Sequence, residues 1–398
     1  MSEKEVFPTF EKPTVPYRFG PAANETARGA RERCDLSDQS HLSRACCFIG
    51  EASKTLGDAA FNPEPRSPHG LGGPQFGRCF GAASDSIEQA PLEGCDMTDT
   101  LRSLDRAIGG KPPFTEHRIP RDQGNIYARD YEGAGPAFVV MHGFPDNLHI
   151  YDDLIPYLVA GGRRVVAFDF LGFGASDKPA GAKYSFKQQL GDLHSVVEAL
   201  TLGKIVPVAH DSSGPAAVNF AIEHPEHVDS LCILNSVYAA APTVRFPEFI
   251  ELFATTNLKA LTRAILQSPE QFAWVLNFQR AQFQQALPEN QKAYYASFLG
   301  PIIDNNFSKQ PSSAPAFAQM TAELFVEVAR NTKRLHEMEA LEIPVKLIWG
   351  ETDPYLNTGV AEDFRSHLKH PSLHLLRAGH WVQIDAPEQV AKVMLGNA

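Results

Sequence analysis

The run Val206-Pro207-Val208-Ala209-His210-Asp211-Ser212-Ser213-Gly214-Pro215-Ala216-Ala217 joins an apolar strand pattern to a turn of chemically active residues and then to a helix opened by small residues. This form predicts a nucleophile elbow, in which the helix start behind the nucleophile supplies a backbone N–H for an oxyanion hole. So tight a turn requires small residues two places before and two places after the nucleophile. Asp211 meets that condition with Ala209 and Ser213, whereas Ser212 would need His210 as a shoulder and Ser213 would need Asp211 and Pro215. A carboxylate is ionised near neutral pH and can displace a leaving group from a saturated carbon, which a serine nucleophile does not usually do. The plain competing reading is a strand–turn–helix joint carrying a solvated aspartate.

Two downstream segments favour chemistry. The apolar run Ile343 to Gly350 reads as a buried parallel strand and opens into Glu351-Thr352-Asp353-Pro354. The next run, Leu373-His374-Leu375-Leu376, ends in Arg377-Ala378-Gly379-His380-Trp381-Val382. Asp353 and His380 thus follow strand ends in the chain order nucleophile, acid, histidine, where catalytic groups gather in open α/β sheets.

Upstream, His142-Gly143-Phe144-Pro145 follows one apolar run and Asp169-Phe170-Leu171-Gly172-Phe173-Gly174-Ala175-Ser176-Asp177-Lys178-Pro179 follows the next. With the elbow, Trp349-Gly350 through Asp353, and Ala378-Gly379-His380, these motifs resemble the α/β-hydrolase superfamily from about Thr115 onwards. Within it they are similar to the aspartate-nucleophile branch of haloalkane dehalogenases and epoxide hydrolases. The resemblance implies an alkyl-enzyme ester on Asp211, water activated by His380 with Asp353 behind it, and an oxyanion hole from the N–H groups of Phe144 and Ser212. Such dehalogenases usually carry tryptophan directly after the nucleophile, where this chain has Ser212. Position 144 is Phe, as in epoxide hydrolases, whose cap tyrosines protonate the opening oxygen; the cap here offers Tyr294 and Tyr295, with Tyr238 at its entrance. Similarity over Phe170 to Pro179 tips the reading slightly towards carbon–halogen cleavage, with epoxide opening as the runner-up. A serine esterase using Ser212 or Ser213 and a non-catalytic binding protein of the same fold stay open as well.

The elements that must position these groups are eight strands near 115–119, 124–130, 136–141, 163–168, 204–209, 229–234, 343–349 and 372–377. Core helices are expected near 150–160, 185–201, 214–223, 358–368 and 386–395. Alternation after the first hairpin predicts a mostly parallel sheet covered on both faces. Pro207 is odd inside a central strand, because it cannot donate to the ladder. The alternation stops at Tyr238, and helical patterns at Phe249 to Leu266, Pro269 to Ala286 and Ala316 to Met338 predict an inserted cap over 238–341. The core then comprises 97–237 and 342–398. Cap aromatics, Trp274, Tyr294 and Tyr295 among them, are the candidates on the substrate side, with packing inside the cap as their competing role.

Residues 1–96 lack sustained periodicity, are dense in Gly, Pro and Ser, and read as a disordered extension, with Met97 as an alternative start. Five of the 6 cysteines (Cys34, Cys46, Cys47, Cys79 and Cys95) fall there without metal-ligand spacing, and Cys232 reads as a small buried hydrophobe. Hydrophobic content of 43% over 398 residues supports a large core, and a net charge of −11 speaks against nucleic acid as a partner. No apolar run is long enough to span a bilayer and no signal-peptide core follows Met1, so a cytoplasmic enzyme without metal or organic cofactor is expected, acting on a small molecule and water.

Overall fold

A computed structural model of the chain describes residues 111–396. The expectations for residues 1–96 lie outside them. Eight strands form one sheet: β1 (Thr115–Arg121), β2 (Gly124–Tyr131), β3 (Ala134–Met141), β4 (Arg163–Asp169), β5 (Ile205–Asp211), β6 (Leu231–Ser236), β7 (Val345–Gly350) and β8 (Pro371–Leu376). Their order is β1-β2-β4-β3-β5-β6-β7-β8, antiparallel at β1·β2 and β2·β4 and parallel from β4 onwards. The central strands are buried on both faces, as continuous apolar runs such as Ala137 to Met141 and Leu231 to Leu234 require.

Core helices α1 (Ile155–Ala160), α2 (Phe186–Ala199) and α3 (Gly214–Glu223) link the strands up to β6. Ser185 caps α2 by accepting the Gln188 N–H at 3.0 Å, which ends the preceding extended segment and fixes the helix start. Pro207 leaves the register of β5 with β3 unbroken through Val139↔Pro207. The missing N–H shows on the other side, where continuous pairing with β6 begins only at Val208 after an isolated bridge at Ile205.

Between β6 and β7 the chain is helical: α4 (Glu248–Ala254), α5 (Lys259–Leu266), α6 (Pro269–Phe283), α7 (Glu289–Tyr294), α8 (Gly300–Ser308), α9 (Ala314–Lys333) and α10 (Leu335–Glu339). Two of the three helices expected there are interrupted, one at Thr255, which is extended, and one at Arg334. The segment spanning α7 and α8 was not among the expected helices; a π-helical turn over Tyr295–Leu299, in which the Gly300 N–H bonds to the Tyr295 carbonyl, carries α7 into α8, and Pro301 sits at this join. Stacked Phe249 and Phe317, at 4.6 Å, bind α4 to α9. After β7 come α11 (Thr358–Ser366), α12 (Val382–Asp385) and α13 (Pro387–Leu395). Among the described residues no helix is long and apolar enough to cross a membrane.

Candidate active site

Three strand ends bring Asp211, Asp353 and His380 together. Asp211 closes β5 with φ of +53°, a left-handed conformation that is costly for a residue with a Cβ, on the order of 1–3 kcal/mol. The surroundings hold that conformation: Ser213 Oγ accepts the His210 N–H at 2.9 Å and bonds to the carbonyls of His210 and Met141, and Ser236 Oγ bonds to the Asp211 carbonyl. The start of α3 lies directly behind, placing the positive end of its dipole at the carboxylate. Gly143 is required at the facing turn, because a Cβ there would overlap the Asp211 carboxylate.

The two carboxylate oxygens of Asp211 have different neighbours. Oδ2 accepts the Phe144 N–H at 3.2 Å, while Oδ1 lies 3.8 Å from His380 Nε2. The Ser212 N–H also bonds to this carboxylate. On its far side His380 holds Asp353 through Nδ1, at 2.7 Å from Oδ2. Asp353 is fixed in turn by the Tyr355 and Leu356 N–H groups on Oδ1 and by Asn235 Nδ2 at 2.9 Å on Oδ2.

Electrostatics follow from this arrangement. Burial opposes a charge on His380, but the Asp353 and Asp211 carboxylates outweigh it and push its pKa up to about 9. Burial raises the Asp211 carboxyl above its ordinary value, against His380 and the two N–H donors. Burial also works against ionised Asp353, yet His380 and its hydrogen bonds hold its pKa below the usual value. Masking the charge of Asp211, as an ester would, removes one of the groups that keep His380 protonated and turns it into a better base. In the resting protein His380 is expected to titrate near 9 in a histidine NMR experiment, and Asp353→Asn to move that titration down. A wild-type midpoint near the ordinary histidine value, about 6.5, would contradict this.

A narrow cavity opens onto Asp211 and His380 in two lobes of about 50 and 30 Å³, both walled by Phe144, Pro247, Ile250 and Phe283. The first lobe adds Asp146, Gln279, Arg280 and Trp381; the second adds Ser212, Leu324 and Tyr355. A larger polar cleft of about 810 Å³, lined by Arg118, Lys178 and Lys309 among others, touches none of the three clustered residues.

The cap residues expected to meet substrate lie elsewhere. On α6, Leu276, Gln279, Arg280 and Phe283 face the cavity at helical spacing, so Trp274 falls on the outer side, 67% exposed and stacked on Phe278. Tyr294 donates its hydroxyl to Asp153 and Tyr295 donates to Asp385, both at 2.7 Å, and neither lines the cavity. Tyr238 donates to Asn219 at 3.0 Å. The structure thus brings none of Tyr294, Tyr295 and Trp274 onto the cavity lining: the two tyrosine hydroxyls are engaged by carboxylates, and Trp274 lies at the surface. Of the two serines, Ser213 is fully buried and committed to the elbow's backbone, while the Ser212 hydroxyl is buried on the second lobe without a hydrogen-bond partner among the described residues. Sequence reasoning missed Asp146, Asn235 and Arg280. The α6 set was detectable from its i, i+3, i+4, i+7 spacing, but Asp146 after Pro145 resembles an ordinary turn residue.

Gly143→Ala tests how tightly the carboxylate is placed. It is expected to slow the first chemical step by about 10²-fold and, because the added methyl also meets Asp211 Cβ, to lower the melting temperature; an unaffected rate would show that the close approach has no catalytic consequence.

A mostly parallel sheet with a tight strand-to-helix elbow after its fifth strand is the arrangement of the α/β hydrolases, and residues 136–387 match the family model described as alpha/beta hydrolase fold. The chain belongs to that family. It is 25% identical over 291 residues to haloalkane dehalogenase 2 of Mycobacterium tuberculosis, covering 71% of this chain and 94% of the relative. It is 24% identical over 278 residues to epoxide hydrolase 3 of Xenopus tropicalis, covering 67% and 72%. Over a shorter stretch of 109 residues, 26% of this chain and 36% of the relative, it is 37% identical to a fluoroacetate dehalogenase of a Burkholderia species. A solved epoxide hydrolase shares the fold with a TM-score of 0.57 at 20% identity, covering 71% of this chain and 98% of that one. The chain is accordingly a hydrolase.

Proposed function

We propose that this hydrolase attacks a small apolar substrate at a saturated carbon with the Asp211 carboxylate, forming an alkyl-enzyme ester that His380 and water then cleave. The observation that carries this reading is the division of labour within one carboxylate: Oδ2 sits on the Phe144 N–H, while Oδ1 points towards His380. Oδ1 is the attacking atom and Oδ2 the carbonyl oxygen of the ester. In the second step His380 takes a proton from water and the water oxygen adds to Cγ of Asp211. The N–H groups of Phe144 and Ser212 hold the oxyanion, and Asp353 orients and stabilises the imidazolium. An esterase reading is weaker, because His380 Nε2 lies against a carboxylate and Ser213 is engaged with backbone.

The apolar walls and small volume favour a compact apolar electrophile. In the same proposal residues 238–341 form a cap over a core whose described part is 111–237 and 342–396; the expected core residues 97–110 and 397–398 lie outside the described residues. Names among the relatives point to two leaving groups, a halide and an epoxide oxygen. A panel of short terminal epoxides, primary alkyl bromides and p-nitrophenyl esters, read as diol, bromide and nitrophenolate, tests the reading. Diol or bromide should appear at rates well above any ester cleavage. Turnover of the esters alone, abolished by Ser212→Ala, would overturn it.

A further inference from the structure

An alkoxide is a poor leaving group unless it gains a proton as the ring opens, and the tyrosine hydroxyls that could supply one here are directed elsewhere. Tyr294, Tyr295 and Tyr238 donate to Asp153, Asp385 and Asn219. Tyr355, on the second lobe, donates to Glu248 at 2.5 Å. A second carboxyl group does line the cavity beside Asp211 and His380. Asp146 is 1% exposed; its Oδ2 accepts the Trp381 indole N–H at 2.9 Å, and its Oδ1 has no hydrogen-bond partner among the described residues.

Resting on the reading of Asp211 as nucleophile, we propose that Asp146 is a further catalytic residue, the acid that protonates the departing oxygen of an epoxide through Oδ1. With Oδ2 engaged as an acceptor, Oδ1 is where a proton would reside. Burial, opposed by the Trp381 N–H, pushes the Asp146 pKa up to about 7, so the neutral form is well populated in a neutral medium. As Asp211 Oδ1 bonds to the ring carbon, the ring C–O bond breaks and its electron pair takes the proton from Asp146. The products are a β-hydroxyalkyl ester and an Asp146 carboxylate. With the Asp211 charge masked by the ester, His380 releases its resting proton to solvent; water then adds to Cγ of Asp211 and gives its proton to the neutral His380. Collapse of the adduct expels the diol oxygen, which takes that proton, and leaves Asp211 as the carboxylic acid. Transfer of the last proton from Asp211 to Asp146 restores both groups, and His380, again facing an ionised Asp211, takes its resting proton back from solvent.

The test reads the alkylation step alone, by rapid quench and mass spectrometry of the Asp211 peptide, with 1,2-epoxybutane and 1-bromobutane as probes. Bromide leaves without a proton, so Asp146→Asn should slow alkylation by the epoxide about 10²-fold or more and alter alkylation by the bromide less than threefold. The charged and titratable groups around Asp146 are Asp211 and His210 at the end of β5, His380 after β8, Tyr151 before α1 and Arg280 on α6. The wild-type epoxide rate should fall as pH rises through about 7, a limb absent in Asp146→Asn. Trp381→Phe, which removes the donor to Oδ2, should shift that limb upward and decides the matter if Asp146→Asn does not fold. Equal slowing of both probes, an unchanged epoxide rate, or a limb that Trp381→Phe does not move would overturn the role of Asp146. Alkylation by the bromide alone would overturn it too while sparing the nucleophile, whereas no adduct on Asp211 from either probe would overturn both.

Discussion

Replacing His380 by alanine should leave the enzyme able to attack once and unable to finish. In the proposed mechanism the first step needs the Asp211 carboxylate and a leaving group, protonated by Asp146 where that group is an epoxide oxygen, but not His380; the second needs His380 as base, because water is a poor nucleophile towards an ester. The variant should release about one equivalent of product-side leaving group per active site, or for an epoxide consume one equivalent of substrate, and accumulate a stable ester. Steady turnover should drop by roughly three orders of magnitude or more, as when a member of a catalytic triad is removed. Quenched-flow kinetics with intact-protein mass spectrometry checks both halves of this result. Steady turnover near the wild-type rate would place the base elsewhere, and so would a folded variant that forms no ester.

Asp211→Asn should eliminate both steps. The amide oxygen can still accept from the Phe144 and Ser212 N–H groups, so the elbow keeps its hydrogen bonds and the melting temperature should move by only a few degrees. As an attacking group the amide is far weaker than a carboxylate, and a loss of roughly 10⁴-fold in kcat/KM is expected. The charge of Asp211 also helps to keep His380 protonated, so the same variant should lower the pKa of His380. Loss of activity accompanied by unfolding would not meet this expectation, and neither would retention of substantial activity in freshly purified protein.

The sheet was legible because parallel strands buried on both faces must be written as unbroken apolar runs, and each of the eight expected strands falls within a few residues of an observed one. The ends of β5 and β7 were legible for the same reason, and that of β8, a half-buried edge strand, from its short run Leu373 to Leu376, which is why Asp211, Asp353 and His380 could be grouped from spacing and order. The cap resisted reading. Its helices pack on a core distant in sequence, so which face of α6 meets the cavity depends on an angle that aromatic content does not encode; Trp274, the largest side chain on that helix, turned outward while Gln279 and Arg280 turned in. Asn235 escaped notice because its value lies in a hydrogen bond to Asp353 across 118 positions. Asp146 escaped because one acid after a proline carries no periodic signal, and only its burial against Trp381 separates it from a turn residue.

A single turnover in ¹⁸O-labelled water, with enzyme in excess over substrate, tests the nucleophile directly. If Asp211 forms the ester and water attacks its Cγ, the new oxygen of the product comes from the unlabelled carboxylate, and ¹⁸O appears in the peptide that carries Asp211. Should the product instead acquire ¹⁸O in the first turnover while Asp211 stays unlabelled, water attacks the substrate itself and Asp211 is not the nucleophile.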